Sequence, residues 1–147
     1  VSEPHPLDLA APCLDRLAEA RVVVVGDAMI DRTVEGTVER VSPEAPIPVL
    51  RMERTRAVPG GAGNVAANLA ALGVRVGFVS VIGDDEEGRR LEALLEEIAT
   101  PALVRDRERP TTCKARYLAG NQQLLRVDHE LSAPLPDALA ARVVERT

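Results

Sequence analysis

Gly60-Gly61-Ala62-Gly63-Asn64-Val65-Ala66 decides how this chain is read, because two different folds can own it. From Gly61 to Ala66 it fits G-x-G-x-x-A, the turn that seats a dinucleotide's pyrophosphate on a helix N-terminus. Asp84 and Asp85 follow about twenty residues later, where a ribose partner would stand. The residues on its N-terminal side argue otherwise. That fingerprint needs a central parallel strand running straight into the glycines, whereas Pro46, Pro48 and Pro59 interrupt whatever ladder precedes this turn. The run that does read as a parallel strand buried on both faces is Arg21-Val22-Val23-Val24-Val25, and it leads into Gly26-Asp27-Ala28-Met29-Ile30-Asp31 instead.

Outward from the glycines, residues 7–20 place Leu7, Leu14, Leu17 and Ala18 at helical spacing. Residues 33–38 and 47–53 are polar extended segments, the second confined to an edge by its prolines. Residues 64–72 read as a helix stopped by Gly73, 74–82 as a strand, and a second helix follows Asp84. There Asp84 can cap, Glu87 completes a capping box, and Leu91, Leu94, Leu95 and Ile98 mark the buried face. Residues 112–119 and 122–127 flank Gly120-Asn121, a hairpin pair. A two-residue turn sets Ala115 opposite Arg126, which turns Arg126 to the other face from Lys114 and Arg116. Another helix starts at Ala138. The sum is an α/β domain over residues 1–147: a mostly parallel core sheet of two or three strands with flanking helices and raw edges, plus a small β lid at about 33–56 and 111–128.

Composition narrows the class. With 147 residues and 46% apolar content, one ordinary core can form. Eighteen basic residues are interspersed with 23 acidic ones, for a net charge of -5, which argues against a nucleic-acid partner. Cys13 and Cys113 stand a hundred residues apart without a metal-ligand spacing, and so read as free thiols of a reducing cytoplasm. No apolar run approaches the length of a membrane span.

Three motifs occur in a set order: Val24-Val25-Gly26-Asp27 with Asp31, Gly60-Gly61 with Asn64, and Ile82-Gly83-Asp84-Asp85 with Gly88. Together they resemble the PfkB, or ribokinase-like, carbohydrate kinases over about residues 10–147. Arg40-Val41-Ser42-Pro43-Glu44-Ala45-Pro46-Ile47-Pro48-Val49 and Asn121-Gln122-Gln123-Leu124-Leu125-Arg126-Val127-Asp128 resemble the heptose 7-phosphate kinase branch. The resemblance implies part of a ribokinase-like fold and an ATP- and Mg²⁺-dependent transfer to the anomeric hydroxyl of D-glycero-β-D-manno-heptose 7-phosphate. That reaction lies on the route to ADP-heptose and lipopolysaccharide. Pairing of lid strands into a homodimer is also implied. The branch's aromatic residues are missing from Arg32-Thr33-Val34-Glu35-Gly36. The family's Gly-Ala-Gly-Asp turn, with its catalytic base and phosphate-binding helix, does not occur in these residues. The expectation is therefore an N-terminal, sugar-binding portion that binds neither ATP nor metal alone and is inactive alone. Alternatives are a kinase for ribose or a hexose phosphate, and a non-catalytic sugar-binding or dimerisation module.

The candidate substrate residues follow from what a sugar kinase must hold. Asp31, just past the first strand, offers a carboxylate for two hydroxyl hydrogens or serves as a turn residue. Gly60 and Gly61 let backbone approach the ligand, and Asn64 either binds it or caps the helix. Asp27 contacts substrate or orders its loop. Lys114, Arg116 and Arg126, with Arg40 and Arg51 behind them, are cations for a sugar phosphate or solvated surface charges.

Overall fold

β-branched residues and glycine stops set the first layer. The computed structural model describes residues 16–147. The helix expected at 7–20, and Cys13 with it, lies mostly outside them; Arg16 and Leu17 are helical. The core sheet is all parallel, in the order β1 (Arg21–Val25), β4 (Arg75–Gly83), β5 (Thr100–Asp106). The lid sheet runs β3 (Pro48–Gly61), β2 (Ala28–Val41), β6 (Cys113–Ala119), β7 (Gln122–His129), antiparallel except where β2 meets β6. Helices α1 (Ala62–Ala71), α2 (Glu86–Glu96) and α3 (Asp137–Val144) complete the described chain.

The core forms where β4 meets α1, α2 and the inner face of the lid. Val76, Phe78 and Ile82 alternate along β4 toward Leu91 and Leu95, one helical turn apart on α2, and Ala66 on α1. Ile30 and Cys113 enter the same cluster from neighbouring lid strands, so lid and core share one apolar interior. Burial on both faces belongs to β4, where Val79 is also covered, and not to the Val run as expected. As an edge strand, β1 keeps Val23 and Val25 51% and 49% exposed.

Several boundaries also moved. β2 and β3 are 14 residues each, so the lid begins at Ala28, and β3 is an edge strand as its prolines require. β5 had no counterpart in the sequence reading; Pro101 fits there because β5 is the opposite edge. α1 starts at Ala62, with Gly61 at the N-cap. α2 is capped by Asp85 rather than Asp84. One Asp85 oxygen accepts from the Gly88 amide and the Thr111 hydroxyl, both at 2.7 Å, and the other accepts from the Thr111 amide at 2.8 Å. Thr111, itself buried, accepts the Gly83 amide at 2.8 Å. This knot binds the end of β4, the start of α2 and the entry to β6. Burial pushes the Asp85 carboxyl up, but the Thr111 and Gly88 hydrogen bonds outweigh it and hold the group below the usual carboxylate range.

Candidate polyol-binding face of the lid

Alternation sorts the lid residues. Ala28, Ile30, Val34, Cys113 and Ala115 face the core, so Met29, Asp31, Thr33, Lys114 and Arg116 point outward. Cross-strand pairing arranges the outward residues in transverse rows. One contains Val58, Asp31, Lys114 and Asp128; the next contains Arg56, Thr33, Arg116 and Arg126. The expected turning-away of Arg126 is therefore corrected. A bulge between Tyr117 and Leu118 shifts the hairpin by one residue, so Arg126 pairs with Arg116 and shares its face.

Asp31 stands at the centre of this face. Arg116 Nη1 donates to its Oδ1 at 2.7 Å, and its Oδ2 turns toward Gly60, where a built Cβ would sit only 2.9 Å away. Gly60 thus keeps one carboxylate oxygen uncovered by any side chain at that position. Gly61 has a different task. Its φ of 58° lies in the left-handed region, and a Cβ there would fall 2.5 Å from the Asp27 carbonyl oxygen. That same carbonyl accepts the Ala62 amide at 2.9 Å, so the Asp27 main chain holds the turn into α1. Asn64, the third residue of α1, is exposed and makes no capping hydrogen bond.

Asp27 also borders a cleft of about 440 Å³ with Met29, Val81 and Thr112, closed on one side by residues 130–135. Arg109 straps that segment down, donating to the Leu131 and Ala133 carbonyls at 2.8 Å each. Lys114 meets Glu130 at 3.0 Å and Asp128 at 3.6 Å, and the Glu130 hydrogen bond raises its ammonium pKa. Arg126 grips Asp128 through two hydrogen bonds of 2.9 and 2.8 Å, which hold the Asp128 carboxyl below its ordinary range. Arg51 pairs with Glu39 and Glu53 on the distal part of the β2–β3 ribbon, and Arg40 is also there, beyond the register shifts; neither joins Asp31.

Sequence reasoning missed three residues that organise this region. Glu87, expected to complete a capping box, accepts two hydrogen bonds from Arg32 Nη2 at 2.6 and 2.7 Å and so ties α2 to the inner face of β2. Arg109 and Thr111 carried no local pattern, since their partners lie more than twenty residues away. Cys113, buried beside Arg32, has its thiol pKa pushed up by desolvation. Among the described residues no group of three or more His, Cys, Asp or Glu is gathered to hold a metal, and no helix is long and apolar enough to cross a membrane. The dinucleotide alternative fails on topology, because Gly61-Ala62-Gly63 leaves an antiparallel edge strand of the lid.

Comparison with known proteins points the same way. The profile of the pfkB family of carbohydrate kinases matches residues 19–145. The chain is 51% identical over 131 residues to the bifunctional protein HldE of Acidiphilium cryptum, an alignment covering 88% of the chain and 27% of that protein. It is 53% identical over 126 residues to the D-beta-D-heptose 7-phosphate kinase of Bordetella bronchiseptica, covering 85% of the chain and 40% of the kinase. The chain thus spans well under half the length of either relative. Phosphofructokinase-2 from Escherichia coli, solved with fructose-6-phosphate, superposes with a TM-score of 0.64 at 21% identity, over 86% of this chain and 40% of that one; the likeness is one of fold.

Proposed function

The chain belongs to the pfkB family of carbohydrate kinases, and from that premise we propose that it is the sugar-binding portion of an ATP-dependent kinase for D-glycero-β-D-manno-heptose 7-phosphate. Phosphate would be transferred to the anomeric hydroxyl, toward ADP-heptose. Relatives of about this similarity that are named for heptose 7-phosphate kinase support the substrate. The observation that carries the site is Asp31, anchored by Arg116 through one oxygen and left open over Gly60 at the other. An ionised carboxylate with a free oxygen can accept a sugar hydroxyl there. Gly61 ends β3 and the exposed Asn64 stands in the first turn of α1, with the Asp27 main chain holding the turn into that helix.

ATP and Mg²⁺ belong to this proposal through the family alone. Among the described residues no group of three or more His, Cys, Asp or Glu is gathered to hold the metal. A general base and the nucleotide contacts are assigned to the length of the relatives that this chain does not span, so the chain by itself is proposed to be inactive. A cytoplasmic enzyme that pairs through its lid is part of the same reading; exposed Val41 and Met52 on the lid ribbon support the pairing. Isothermal titration tests the substrate. Heptose 7-phosphate should bind at least ~10-fold more tightly than ribose or fructose 6-phosphate, a difference of about 1.4 kcal/mol. Tighter binding of either competitor replaces the heptose assignment with another sugar. Binding without ATP turnover in a full-length relative-like chain favours a non-catalytic module.

A further inference from the structure

Arg116 and Arg126 are direct cross-strand partners on the outward face, and Arg56 lies in the same row beyond Thr33. Like charges opposite one another in a sheet destabilise it. The turn does not force this register, because an uninterrupted ladder from Gly120-Asn121 would turn Arg126 to the inner side. The bulge makes the pairing: Tyr117 meets Leu125 and Leu118 meets Gln123, leaving Leu124 as the extra residue. Burial does not account for it either. The same shift turns Leu125 and Val127 inward, yet they remain 56% and 45% exposed.

The cations are held provisionally. Arg116 is paired with Asp31, and Arg126 with Asp128, each carboxylate coming from the neighbouring row. Ion pairs this exposed contribute little and exchange readily with a better anion. Two guanidiniums side by side present a fork of N–H donors to the three oxygens of a phosphate monoester. Adjacent rows on one face lie about 7 Å apart, so a sugar can give a hydroxyl to Asp31 while its phosphate reaches the next row.

We propose that Arg116 and Arg126 clamp the phosphate of the incoming sugar phosphate, and that this releases Asp31 from Arg116 to accept sugar hydroxyls with both oxygens. The inference rests on the sugar-phosphate reading above and adds to it a reason for preferring phosphorylated substrates. A free sugar meets an Asp31 still half occupied.

The test is titration of the chain and of Arg126→Gln with heptose 7-phosphate, unphosphorylated heptose and fructose 6-phosphate. Arg126 hydrogen-bonds only to Asp128 among the described side chains, so the fold should survive, as circular dichroism will report. Affinity for heptose 7-phosphate should fall roughly 10- to 100-fold, the range of a charge-assisted pair, while the free heptose changes by less than about 3-fold. Deletion of Leu124 removes the bulge yet keeps Arg126 opposite Arg116, so the preference for heptose 7-phosphate over the free heptose should survive it. A folded Arg126→Gln that loses less than about 3-fold, or loses both heptose forms equally, overturns the clamp and leaves the kinase assignment standing. Arg126-dependent binding of fructose 6-phosphate in preference to heptose 7-phosphate supports the clamp and overturns the heptose assignment. Failure of every phosphorylated sugar to saturate the chain overturns both.

Discussion

Gly60 and Gly61 are neighbours with unlike reasons for lacking a side chain. A methyl at Gly60 meets two side chains and no main chain, Met29 at Cγ, 2.8 Å away, and Asp31 at Oδ2, 2.9 Å away, both of which can move. Gly60→Ala should therefore stay within about 1 kcal/mol of the parent in stability. It should nevertheless weaken sugar binding by ~10-fold or more, because the methyl covers the open oxygen of Asp31. A methyl at Gly61 meets a main-chain oxygen, in a left-handed conformation that costs other residues about 1–2 kcal/mol. Gly61→Ala should lower Tm by several degrees. Paired thermal melts and titrations separate the two. The sequence showed that both glycines permit close approach; it could not show which does so for a ligand and which for the Asp27 carbonyl. That difference lies in a dihedral angle and in a strand register set by residues thirty positions away.

At the scale of elements, Asp84 and Asp85 make a similar pair. Either could cap α2 by local chemistry, and the expected capping box chose the wrong one. Thr111 decides, since only Asp85 reaches both that residue and the Gly88 amide. Asp85→Ala should cost about 2–4 kcal/mol, a lost cap plus hydrogen bonds to a charged acceptor. Asp84→Ala, which breaks only a pair with a nearly fully exposed Arg107, should stay within about 0.5 kcal/mol. The pH dependence has a definite sign. The folded Asp85 pKa is lowered, so its contribution is complete above the unfolded carboxylate value of about 4 and disappears as pH falls through the lower folded value. Urea melts from pH 2.5 to 7 should show a shallower acid loss for Asp85→Asn than for the parent. Long periodic elements were legible: the Val run is a strand, though an edge strand and not one buried on both faces, and the Leu91/Leu95 face and the Gly120-Asn121 turn stand where their patterns put them. The bulge at Leu124 was not, because Leu124 and Leu125 are interchangeable by pattern. Nor was β5, a seven-residue edge strand containing a proline.

Across the whole molecule, the lid is joined to the core by the apolar cluster they share and by several polar attachments, among them the buried hydrogen bond of 3.1 Å from the Ala28 amide to Ser80 Oγ. In the Asp85–Thr111 knot Thr111 is buried and Asp85 half-buried, and the Arg32–Glu87 pair, also part-buried, lies further along β2. Glu87→Gln should leave the knot intact and loosen only the outer attachment, with a coupling to Arg32 of about 1 kcal/mol in a double-mutant cycle. Native-state hydrogen exchange should then quicken in β2 and β6 and remain unchanged in β4. The three ordered motifs located this architecture because each lies where one element gives way to the next: β1 to β2, β3 to α1 and β4 to α2. The ties that fix the lid's angle were invisible because they join residues 55 and 26 positions apart. The thiol of Cys113 lies under the same lid, sealed in the shared interior and pushed away from its reactive thiolate form. Its alkylation rate is consequently an intrinsic clock for lifting of the lid: a bound sugar that fastens the lid slows the clock, and salt that weakens Arg32–Glu87 speeds it, with no probe added to the protein.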